Sequence, residues 1–553
     1  MTDVGAGLRS WRAALALVVV AVLAMAPAIA GGFTYDDRFI IEDNARVHTL
    51  AHWWQLFGQS YWPPPALGAL YRPLPMLGYA TQWVIGGGSP AVFHAVNVVL
   101  HAVLAVAVWR LALRLLPAGI AFAVGLLFAV HPVHVEAVAN IVGCSELLMT
   151  LGTVVALHAY LRLREEGTNP LTLGAVVGGT VLAAFSKEQG VLVPLMLTAA
   201  ELTLVRDRRP LWARLRVVAP VALSTGAVVA CYLALRTAAV ETWDDAPAGL
   251  WMVLSPADRR WTMLGVVPEW LRLMLWPARL AIEYSPPQVP VYRGWSLGLL
   301  PGVTVVAGGV VLLALSFRRA PVAAFGLLLA GLALGPVSNL LLPTGVILAE
   351  RTLLLPSVGV LLAVGALLAA LASDLEPAAR RASARPAWAL LAVLVIAGGV
   401  RSAFRTTVWR NDETLLAAAV AETPRSYRPW YLIGQLEARR GNRAAAEGPL
   451  RRSIELFPDD FGSLALLGTV YREQNKCGPA IAPLDRALRI YPHGSSARAS
   501  LVACLIGLGR FDDARSVAAE GERLGGNAGA FRRLRRVADS LEILVRPTAA
   551  PLP

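Results

Sequence analysis

The feature that most constrains this chain is a series of apolar runs, each about as long as a helix that crosses a bilayer. Such runs begin near residues 11, 91, 115, 145, 171, 190, 217, 297, 321, 346 and 388. Hydrophobic residues make up 56% of the 553 residues and charged residues only 16%, against roughly 25% charged in soluble domains. Because a water-soluble core does not account for that balance, the sequence predicts an all-α, polytopic membrane bundle with about eleven spans.

The positive charge is distributed in a way that predicts membrane topology rather than nucleic-acid binding. The formal net charge is +13, but most arginines stand in short clusters between apolar runs, where they orient helices. If the N-terminus is cytoplasmic, as Arg9 and Arg12 indicate, the alternate arginine-bearing loops all fall inside. Those loops carry Arg110 and Arg114, Arg162 and Arg164, residues 206–216, Arg318 and Arg319, and residues 380–385. The polar motifs described below, and everything after about residue 403, then fall outside, and no nucleic-acid partner is expected.

Two segments allow a second interpretation. Residues 261–282 are apolar but rich in tryptophan and arginine, which favours an interfacial helix on the outer face over a span. A span there would move the C-terminal region to the cytoplasm. The first apolar run ends in Ala28-Ile29-Ala30, which resembles a signal-peptide cleavage site, so this run is either an anchoring first helix or a removed leader.

The C-terminal region carries a sequence repeat. Pro424, Pro458 and Pro492 are separated by one tetratricopeptide period of about 34 residues. Helix pairs built on this pattern stack into a solenoid, because each unit buries the apolar face of its neighbour. The sequence therefore predicts a membrane domain over residues 1–403 and an extracytoplasmic tetratricopeptide-repeat domain over residues 404–545.

The predicted solenoid has a concave face that suits an extended peptide or another protein, although the repeats could also serve only to pack against the membrane domain. Residues 404–424 are expected to supply a leading helix. Cys477 and Cys504 would lie on facing helices, either as a disulfide outside the cytoplasm or as two small buried side chains. The four cysteines show no metal-ligand spacing.

An acidic pair, Asp36 and Asp37, stands just beyond the first apolar run. Carboxylates close to the hydrocarbon are costly and commonly mark a working site. The same loop contains Arg72, within Tyr71-Arg72-Pro73-Leu74. This loop is the first candidate for chemistry at the membrane surface.

A second candidate is a polar face on the next helix. His94, Asn97 and His101 share one helical face by their i, i+3, i+7 spacing, and a polar face within a span turns towards the bundle interior. Hydrogen bonding between helices and contact with a substrate both explain such a face.

A third candidate lies at an outer helix junction, where His131, His134 and Glu136 cluster around Pro132. Two histidines and a carboxylate can bind a metal, but a proline between them breaks the helical register. The alternative is that these side chains orient a polar substrate or brace the loop.

Two charged dipeptides lie at the outer ends of later spans. Lys187-Glu188 is interpreted as an ion pair that either bridges to the acidic loop or binds anions. Glu350-Arg351 repeats this arrangement, and an arginine there can bind a lipid-linked phosphate with two hydrogen bonds.

Taken in order, these blocks resemble a known family, the transmembrane and tetratricopeptide-repeat-containing O-mannosyltransferases of the GT-C glycosyltransferase superfamily. The matching blocks are Asp36-Asp37, Tyr71 to Leu74, Phe93 to His101, His131 to Gly143, Lys187 to Gly190 and Glu350 to Gly359, followed by the repeats. The sequence departs from the family pattern after Gly143, where Cys144 and Glu146 stand in place of an arginine and an aspartate. Glu146 keeps a carboxylate, whereas the loss of the arginine puts donor binding at this position, and the sugar identity, in question.

The resemblance implies transfer of mannose or another hexose from a polyprenyl-phosphate carrier to a hydroxyl acceptor, such as a protein Ser or Thr, on the extracytoplasmic side. Asp36, with Asp37 beside it, would be the general base of one inverting displacement. Arg351 is the first choice and Lys187 the second for the cation that receives the lipid phosphate. No cofactor is required, although a divalent ion between carboxylate and phosphate is compatible. The arginine-rich composition predicts a bacterial protein of the inner membrane.

Two other functional classes remain open from the sequence. A membrane-anchored scaffold would use the repeats alone and would tolerate loss of Asp36 and Arg351. A transporter of lipid-linked sugars would use the arginines but no general base.

Overall fold

The computed structural model describes residues 4–63, 70–240, 249–524 and 528–545. Every regular element in these residues is helical, as the sequence predicts. The α-helices are α1 (Val4–Met25), α2 (Pro73–Gly86), α3 (Pro90–Leu115), α4 (Ala118–Val130), α5 (Val135–Ala139), α6 (Cys144–Glu166), α7 (Pro170–Ala184), α8 (Val193–Thr203), α9 (Leu211–Ala239), α10 (Gly249–Val253), α11 (Pro256–Leu275), α12 (Leu300–Arg319), α13 (Pro321–Leu334), α14 (Leu354–Asp374), α15 (Pro377–Val408), α16 (Asp412–Glu422), α17 (Tyr427–Arg439), α18 (Arg443–Leu456), α19 (Phe461–Glu473), α20 (Cys477–Ile490), α21 (Ser495–Gly507), α22 (Phe511–Arg523) and α23 (Ala528–Val545).

Shorter turns of helix connect several of these elements. One is a π-helical turn at Arg38–Glu42. The others are 3-10 turns at Ala26–Ala30, Ala45–Val47, Trp53–Gly58, Pro132–His134, Ile141–Gly143, Glu188–Leu192, Leu297–Leu299, Gly335–Val337 and Glu350–Leu353. Several of them stand where the sequence motifs are, because those motifs interrupt otherwise regular helices.

The described chain is a multi-pass membrane protein. Seven of its helical segments are long and apolar enough to cross a bilayer: Trp11–Ala30, Pro90–Leu115, Ile141–Glu166, Leu211–Ala239, Leu297–Arg319, Glu350–Asp374 and Arg385–Val408. The pair Ala118–Val130 and Pro132–Ala139, bent by 47°, makes an eighth if it is one span. The predicted count of about eleven is not confirmed.

The difference in count comes from helix length. The eleven predicted apolar runs all fold as helix, but α7, α8 and α13 contain only 15, 11 and 14 residues. At 1.5 Å per residue such helices reach roughly 16–23 Å, less than the roughly 30 Å hydrocarbon core. Helix α11, in the segment predicted to be interfacial, is likewise not among the candidate spans, and its location at an interface stays a prediction.

The described chain separates into two compact units. The first takes its residues from 1–246, 263–282 and 296–418, and the second from 247–262, 283–295 and 419–553. The predicted boundary between residues 403 and 404 falls inside α15, which continues to Val408.

In the first unit, α6 is the central helix. In the segment Ile141–Glu166, 78% of the most apolar window is buried, against 6% for Arg385–Val408 at the periphery. Close helix crossings use small residues. A Cβ on Gly359 of α14 would lie 2.4 Å from the carbonyl oxygen of Gly326 on α13, so this motif glycine allows two backbones to touch.

The second unit confirms the predicted tetratricopeptide-like repeats. Helices α17 to α22 form three consecutive helix pairs, and α23 follows them. Small and large apolar residues alternate in the core, with Ala446 and Leu450 of one pair and Ala480 and Leu484 of the next fully buried. Residues 404–424, predicted to supply a leading helix, contain the end of α15 and all of α16, of which residues 412–418 belong to the first unit.

The repeat unit also contains a segment from the predicted membrane domain, which the sequence did not indicate. Residues 283–295 hydrogen-bond to the start of α17, where the Tyr427 amide donates to the Pro286 carbonyl at 3.0 Å. The Arg428 Nε donates to Glu283 Oε1 at 3.1 Å. Cys477 and Cys504 are both free thiols.

Candidate functional site

The acidic loop is the segment around Asp36 and Asp37, between α1 and α2, and a strained residue directly precedes the acidic pair. Tyr35 adopts a left-handed backbone conformation, with φ at 54°, which costs a bulky L-residue free energy and persists only where its surroundings hold it. The Tyr35 amide donates to Asp412 Oδ1 at 3.0 Å, and the Arg38 Nε donates to Asp412 Oδ2 at 2.6 Å. Asp412, which the sequence analysis did not single out, therefore anchors the loop on both sides of the acidic pair.

The two members of the acidic pair have different environments. Asp37 is fully buried and accepts hydrogen bonds from the amides of Val142 at 2.9 Å and of Ile141 and Thr34 at 3.3 Å each. Burial outweighs these donors and raises the pKa of Asp37 to about 8. The side chain of Asp36 is 25% exposed, and its Oδ2 lies 4.0 Å from Nη2 of Arg351. Of the two carboxyl groups, only that of Asp36 is open to a substrate.

Arg351 is held in place by Glu136. Its amide donates to Glu136 Oε2 at 2.9 Å, and its guanidinium forms an ion pair with Glu136 Oε1. Glu136 is 3% exposed, whereas the Arg351 side chain is 20% exposed. Glu350, directly before it, is buried and accepts from the Ala281 amide at 2.6 Å. The guanidinium is thus fixed on one side and accessible on the other, next to Asp36.

A second charge pair links the acidic loop to the segment after α7. The Arg72 guanidinium donates to both carboxylate oxygens of Glu188, with Nη2 to Oε2 at 2.7 Å. It also lies 5.0 Å from the centre of the Tyr61 ring. Burial by itself would lower the pKa of Arg72, but Glu188 outweighs it and raises that pKa. Burial by itself would raise the pKa of Glu188, but Arg72 outweighs burial and lowers that pKa below its ordinary value. Both groups are charged, and their contact bridges the two segments.

Lys187 takes a different partner from its neighbour. Its ammonium group forms an ion pair with Glu146, and the two side chains are 9% and 2% exposed. Lys187 also interacts electrostatically with Arg72, Arg351 and Glu136. The predicted pair Lys187-Glu188 is therefore divided, with one residue bound to α6 and the other to the acidic loop.

The glycine of the same motif explains how this turn is packed. A Cβ on Gly190 would lie 2.2 Å from the Ala183 carbonyl, so the chain after Lys187 folds back directly onto the end of α7. Only glycine permits this approach, and it aims Lys187 at Glu146.

The histidines and Asn97 contact backbone groups of the bundle. His94 lies 3.3 Å from the Gly32 carbonyl, and the Asn97 amide donates to the carbonyls of Val138 and Ile141 at 3.2 and 3.1 Å. His101 Nε2 lies 3.0 Å from the Ala129 carbonyl. These contacts support the interpretation that the polar face of α3 hydrogen-bonds neighbouring segments.

The cluster at the α4–α5 junction is bonded in a similar way. His131 Nε2 lies 3.0 Å from the Met274 carbonyl, and His134 lies 3.0 Å from the Phe128 carbonyl and 2.8 Å from Ser357 Oγ. In the part of the chain that the structure describes, no group of three or more His, Cys, Asp or Glu side chains is arranged to hold a metal ion. Glu136 points to Arg351 instead, so this cluster braces the loop that positions that arginine.

Together these contacts form one site, which we call the motif site: Asp36, Asp37, Arg72, Glu136, Glu146, Lys187, Glu188 and Arg351. It joins four separate parts of the chain through three cations and their carboxylates. Cys144 is buried in an apolar cluster that also contains Tyr61 and Tyr79. Sequence reasoning missed Asp412 and Tyr61; aromatic character in the loop is a signal for Tyr61, but Asp412 lies beyond the last span and gives none.

Relatives among known proteins match most of the chain. The chain is 24% identical over 498 residues to a protein O-mannosyl-transferase TMTC3 of Mus musculus, covering 83% of this chain and 53% of the relative. It is 25% identical over 537 residues to Tmtc3 of Drosophila melanogaster, covering 83% and 57%. It is also 25% identical over 461 residues to the protein O-mannosyl-transferase F38B6.6 of Caenorhabditis elegans, covering 81% and 63%. The chain spans about half the length of the curated relatives it matches first.

Neither the family models nor the solved structures identify a relative that bears on the fold or the family. No protein-family model matches the chain. Among solved structures, yeast Tom70 aligns with 71% of this chain and 90% of its own at 12% identity and a TM-score of 0.25, which is too loose a superposition to bear on the fold. The relatives, the apolar helices and the repeats agree with one another, and along about four fifths of its length the chain is similar to proteins named as TMTC protein O-mannosyl-transferases.

Proposed function

We propose that this protein is a membrane glycosyltransferase that moves mannose, or another hexose, from a polyprenyl-phosphate carrier to a hydroxyl group of a protein. Names of relatives support a protein acceptor and mannosyl transfer. The observation that carries the proposal is the contact between Asp36 and Arg351, because it combines an accessible carboxylate with a fixed, accessible guanidinium 4.0 Å away.

In the proposed reaction, Asp36 is the general base. The acceptor hydroxyl oxygen forms a bond to the anomeric carbon, and the bond from that carbon to the phosphate oxygen breaks in the same inverting step. The hydroxyl proton goes to Asp36, and the carrier phosphate leaves with the electron pair. Arg351 neutralises the charge that develops on that phosphate.

The geometry indicates how the two groups are separated during the reaction. An in-line displacement needs the acceptor and the leaving oxygen on opposite faces of the sugar, so Asp36 and Arg351 cannot remain each other's partners. We propose that the donor phosphate replaces Asp36 at the exposed side of Arg351, while Glu136 keeps the guanidinium in place from the buried side. Binding of the donor thereby releases the base to meet the acceptor.

The remaining motif residues position this pair. Asp37 fixes the acidic loop to the Ile141–Gly143 turn through backbone amides, which makes it a positioning residue rather than a second base. Arg72 with Glu188 and Lys187 with Glu146 place two further cations near the site. Lys187 is the second candidate for the phosphate, although the phosphate would have to compete with the buried Glu146. The mechanism uses no cofactor.

Location and partners follow from the same proposal. The motif site lies at the ends of helices that the arginine pattern predicts to be extracytoplasmic, and the repeat unit offers a surface of the type that binds extended peptides. We propose that the repeats present the protein acceptor there, and that the membrane is the bacterial inner membrane.

The test is the extracytoplasmic glycoprotein profile of cells that carry the wild-type gene, Asp36→Asn or no gene. Glycans lost in both altered strains are expected, and their mass identifies the sugar and the acceptor. Glycans lost on deletion but retained in Asp36→Asn would contradict the base assignment and favour a scaffold or a transporter. Asp43→Asn, an exposed carboxylate of the same loop, is the control and should keep the wild-type profile.

A further inference from the structure

A cavity lies far from the motif site, at the other ends of α3 and α6 and the beginning of α7. Its volume is about 450 Å³. At 1.5 Å per residue, roughly 24 Å of α3 separate His94 near the motif site from Arg110 in the cavity. Its lining includes Arg110, His158 and Arg162 on the polar side and Ala107, Val155 and Leu171 on the apolar side.

The polar part of this lining is electropositive. Arg110 makes no ion pair with any residue that the structure describes, and its guanidinium lies 5.1 Å from the centre of the Trp109 ring. The nearby acids are already paired, Glu165 with Arg114 and Glu166 with Arg162. The cavity therefore retains the charge of one arginine that has no carboxylate partner.

A buried hydrogen-bond donor lies in the same wall. The Arg114 Nε donates to His158 Nε2 at 3.4 Å, so Nε2 is the acceptor of that ring and the ring proton sits on Nδ1. Among the described residues, the buried His158 Nδ1 has no hydrogen-bond partner. A buried polar atom without a partner is costly, and the imidazole that carries it belongs to a residue that lines the cavity.

The third positive element is a helix end. Asn169 caps α7, whose first turn contributes Leu171 and Thr172 to the cavity. The N-terminus of a 15-residue helix carries partial positive charge that favours an anion. An arginine without an ion-pair partner, an imidazole and a helix N-terminus thus line one cavity.

The rest of the lining is apolar and continuous with the outside of the bundle. Leu171 is 85% exposed and Val155 is 37% exposed, although Val155 lies in the candidate span Ile141–Glu166 and Leu171 in the apolar helix Pro170–Ala184. On α3 the exposed Val99 and Val103 lead along the helix towards Ala107. Surface of this kind faces acyl chains in a membrane protein, so the cavity adjoins hydrocarbon on one side and cations on the other.

We propose that this cavity binds an anionic phospholipid, with the phosphate group at Arg110, His158 and Arg162 and the first part of an acyl chain along Ala107 and Val155. Basic pockets between membrane helices are suited to acidic headgroups. The arginine pattern predicts that this end of the bundle faces the cytoplasm. The site would therefore bind lipid of the cytoplasmic leaflet, on the opposite side of the membrane from the motif site. The proposal is independent of the proposed function.

The experiment uses the full chain, purified in a neutral detergent and depleted of lipid. Native mass spectrometry then counts retained molecules of phosphatidylglycerol or phosphatidylcholine at equal concentrations. Phosphatidylglycerol should be retained preferentially, and Arg110→Gln should weaken its binding about fivefold, the effect of one arginine at a lipid surface. Ala107→Phe, which fills the cavity, should prevent retention of both lipids. Arg318→Gln removes an arginine at the end of another span and outside the cavity, and should behave as the wild type.

Three results would overturn the proposal. The first is equal retention of phosphatidylglycerol and phosphatidylcholine, and the second is unchanged retention in both Arg110→Gln and Ala107→Phe. The third is displacement of the lipid by millimolar glycerol phosphate, which would identify a soluble phosphate as the ligand. Arg110 is exposed, so its variant tests binding without a burden on folding.

Discussion

The two ends of helices α3 and α6 each carry a charged cluster, and the clusters are built differently. At the motif site, Arg72 meets Glu188 across 116 residues and Arg351 meets Glu136 across 215. At the opposite end, Arg164 pairs with Glu201 and Asp207, only 37 and 43 residues away.

Their accessibility differs as well. The Arg164 and Asp207 side chains are 3% and 6% exposed, whereas Asp36 and Arg351 are 25% and 20% exposed. A closed network in which every charge has a buried partner holds helices together. An open one, in which an arginine is fixed on one side only, can exchange a partner for a substrate. Under the proposed function, the accessible contact is what separates the cluster that reacts from the cluster that holds helices together.

The sharpest test of this comparison is Asp36→Asn in a purified transfer assay. Without its general base the rate constant of transfer should fall about 100- to 10,000-fold. The carrier concentration for half saturation should not rise, because the donor phosphate no longer has to displace a carboxylate from Arg351. The unfolding temperature should remain that of the wild type, because Asp36 is partly exposed. A variant that keeps its rate would place the base elsewhere and remove the functional distinction between the two clusters.

The closed cluster should respond in the opposite way. Arg164→Gln removes the buried cation that Glu201 and Asp207 share, and leaves them only their more exposed partners Arg214 and Arg209. The variant is therefore expected to be less stable than the wild type. Transfer per folded molecule should be retained. Thermal unfolding in detergent measures the loss, with activity corrected for the folded fraction. Loss of activity at full stability would show that the distant cluster takes part in the reaction.

Asp37→Asn tests the buried half of the acidic pair. The amide can no longer accept from all three backbone donors, so a loss of about 1–3 kcal/mol is expected. Its pKa of about 8 also predicts a pH dependence in the wild type. Between about pH 4 and 8 the folded state keeps a proton that the unfolded state has released, so this part of the stability declines as pH rises through that range.

That component should be absent in the variant. Unfolding temperatures of the wild type and Asp37→Asn, measured at several values between pH 4.5 and 8.5, should therefore converge as pH rises. A constant difference between the two proteins would contradict the raised pKa.

The smallest effect is expected for Glu166→Gln. It breaks the exposed pair with Arg162, whose side chains are 54% and 46% exposed, and such pairs contribute about 0.5 kcal/mol or less. The unfolding temperature should stay within error of the wild type. A loss as large as that of Arg164→Gln would mean that burial does not separate the two kinds of ion pair at this end of the bundle.

Much of the fold could be predicted from local sequence. The apolar runs predicted helices because length and composition alone decide whether a backbone can lie in hydrocarbon. The 34-residue period predicted three helix pairs because each repeat contacts only its neighbours. The number of spans was less predictable, since α7, α8 and α13 contain only 15, 11 and 14 residues within apolar sequence.

Parts of the candidate site could also be predicted. The acidic pair, Arg72, Glu136, Lys187, Glu188 and Arg351 all stand out as polar residues at the ends of apolar runs, and the structure brings them together. The alternation of arginine-rich loops was the signal that placed them at one end. Asp412 could not be found in this way, because its contact with Tyr35 crosses 377 residues and has no periodic signature.

The sequence by itself determined which segments are helical, that the repeats follow a membrane bundle, and which polar residues gather at one end. These properties depend on composition, spacing and charge order, which are local. Only the tertiary structure decided that Glu188 binds Arg72 while Lys187 binds Glu146, and that Asp37 is buried while Asp36 is open. Partner choice and burial depend on which backbones approach closely enough to exclude solvent, and that is set by the packing of helices far apart in the chain.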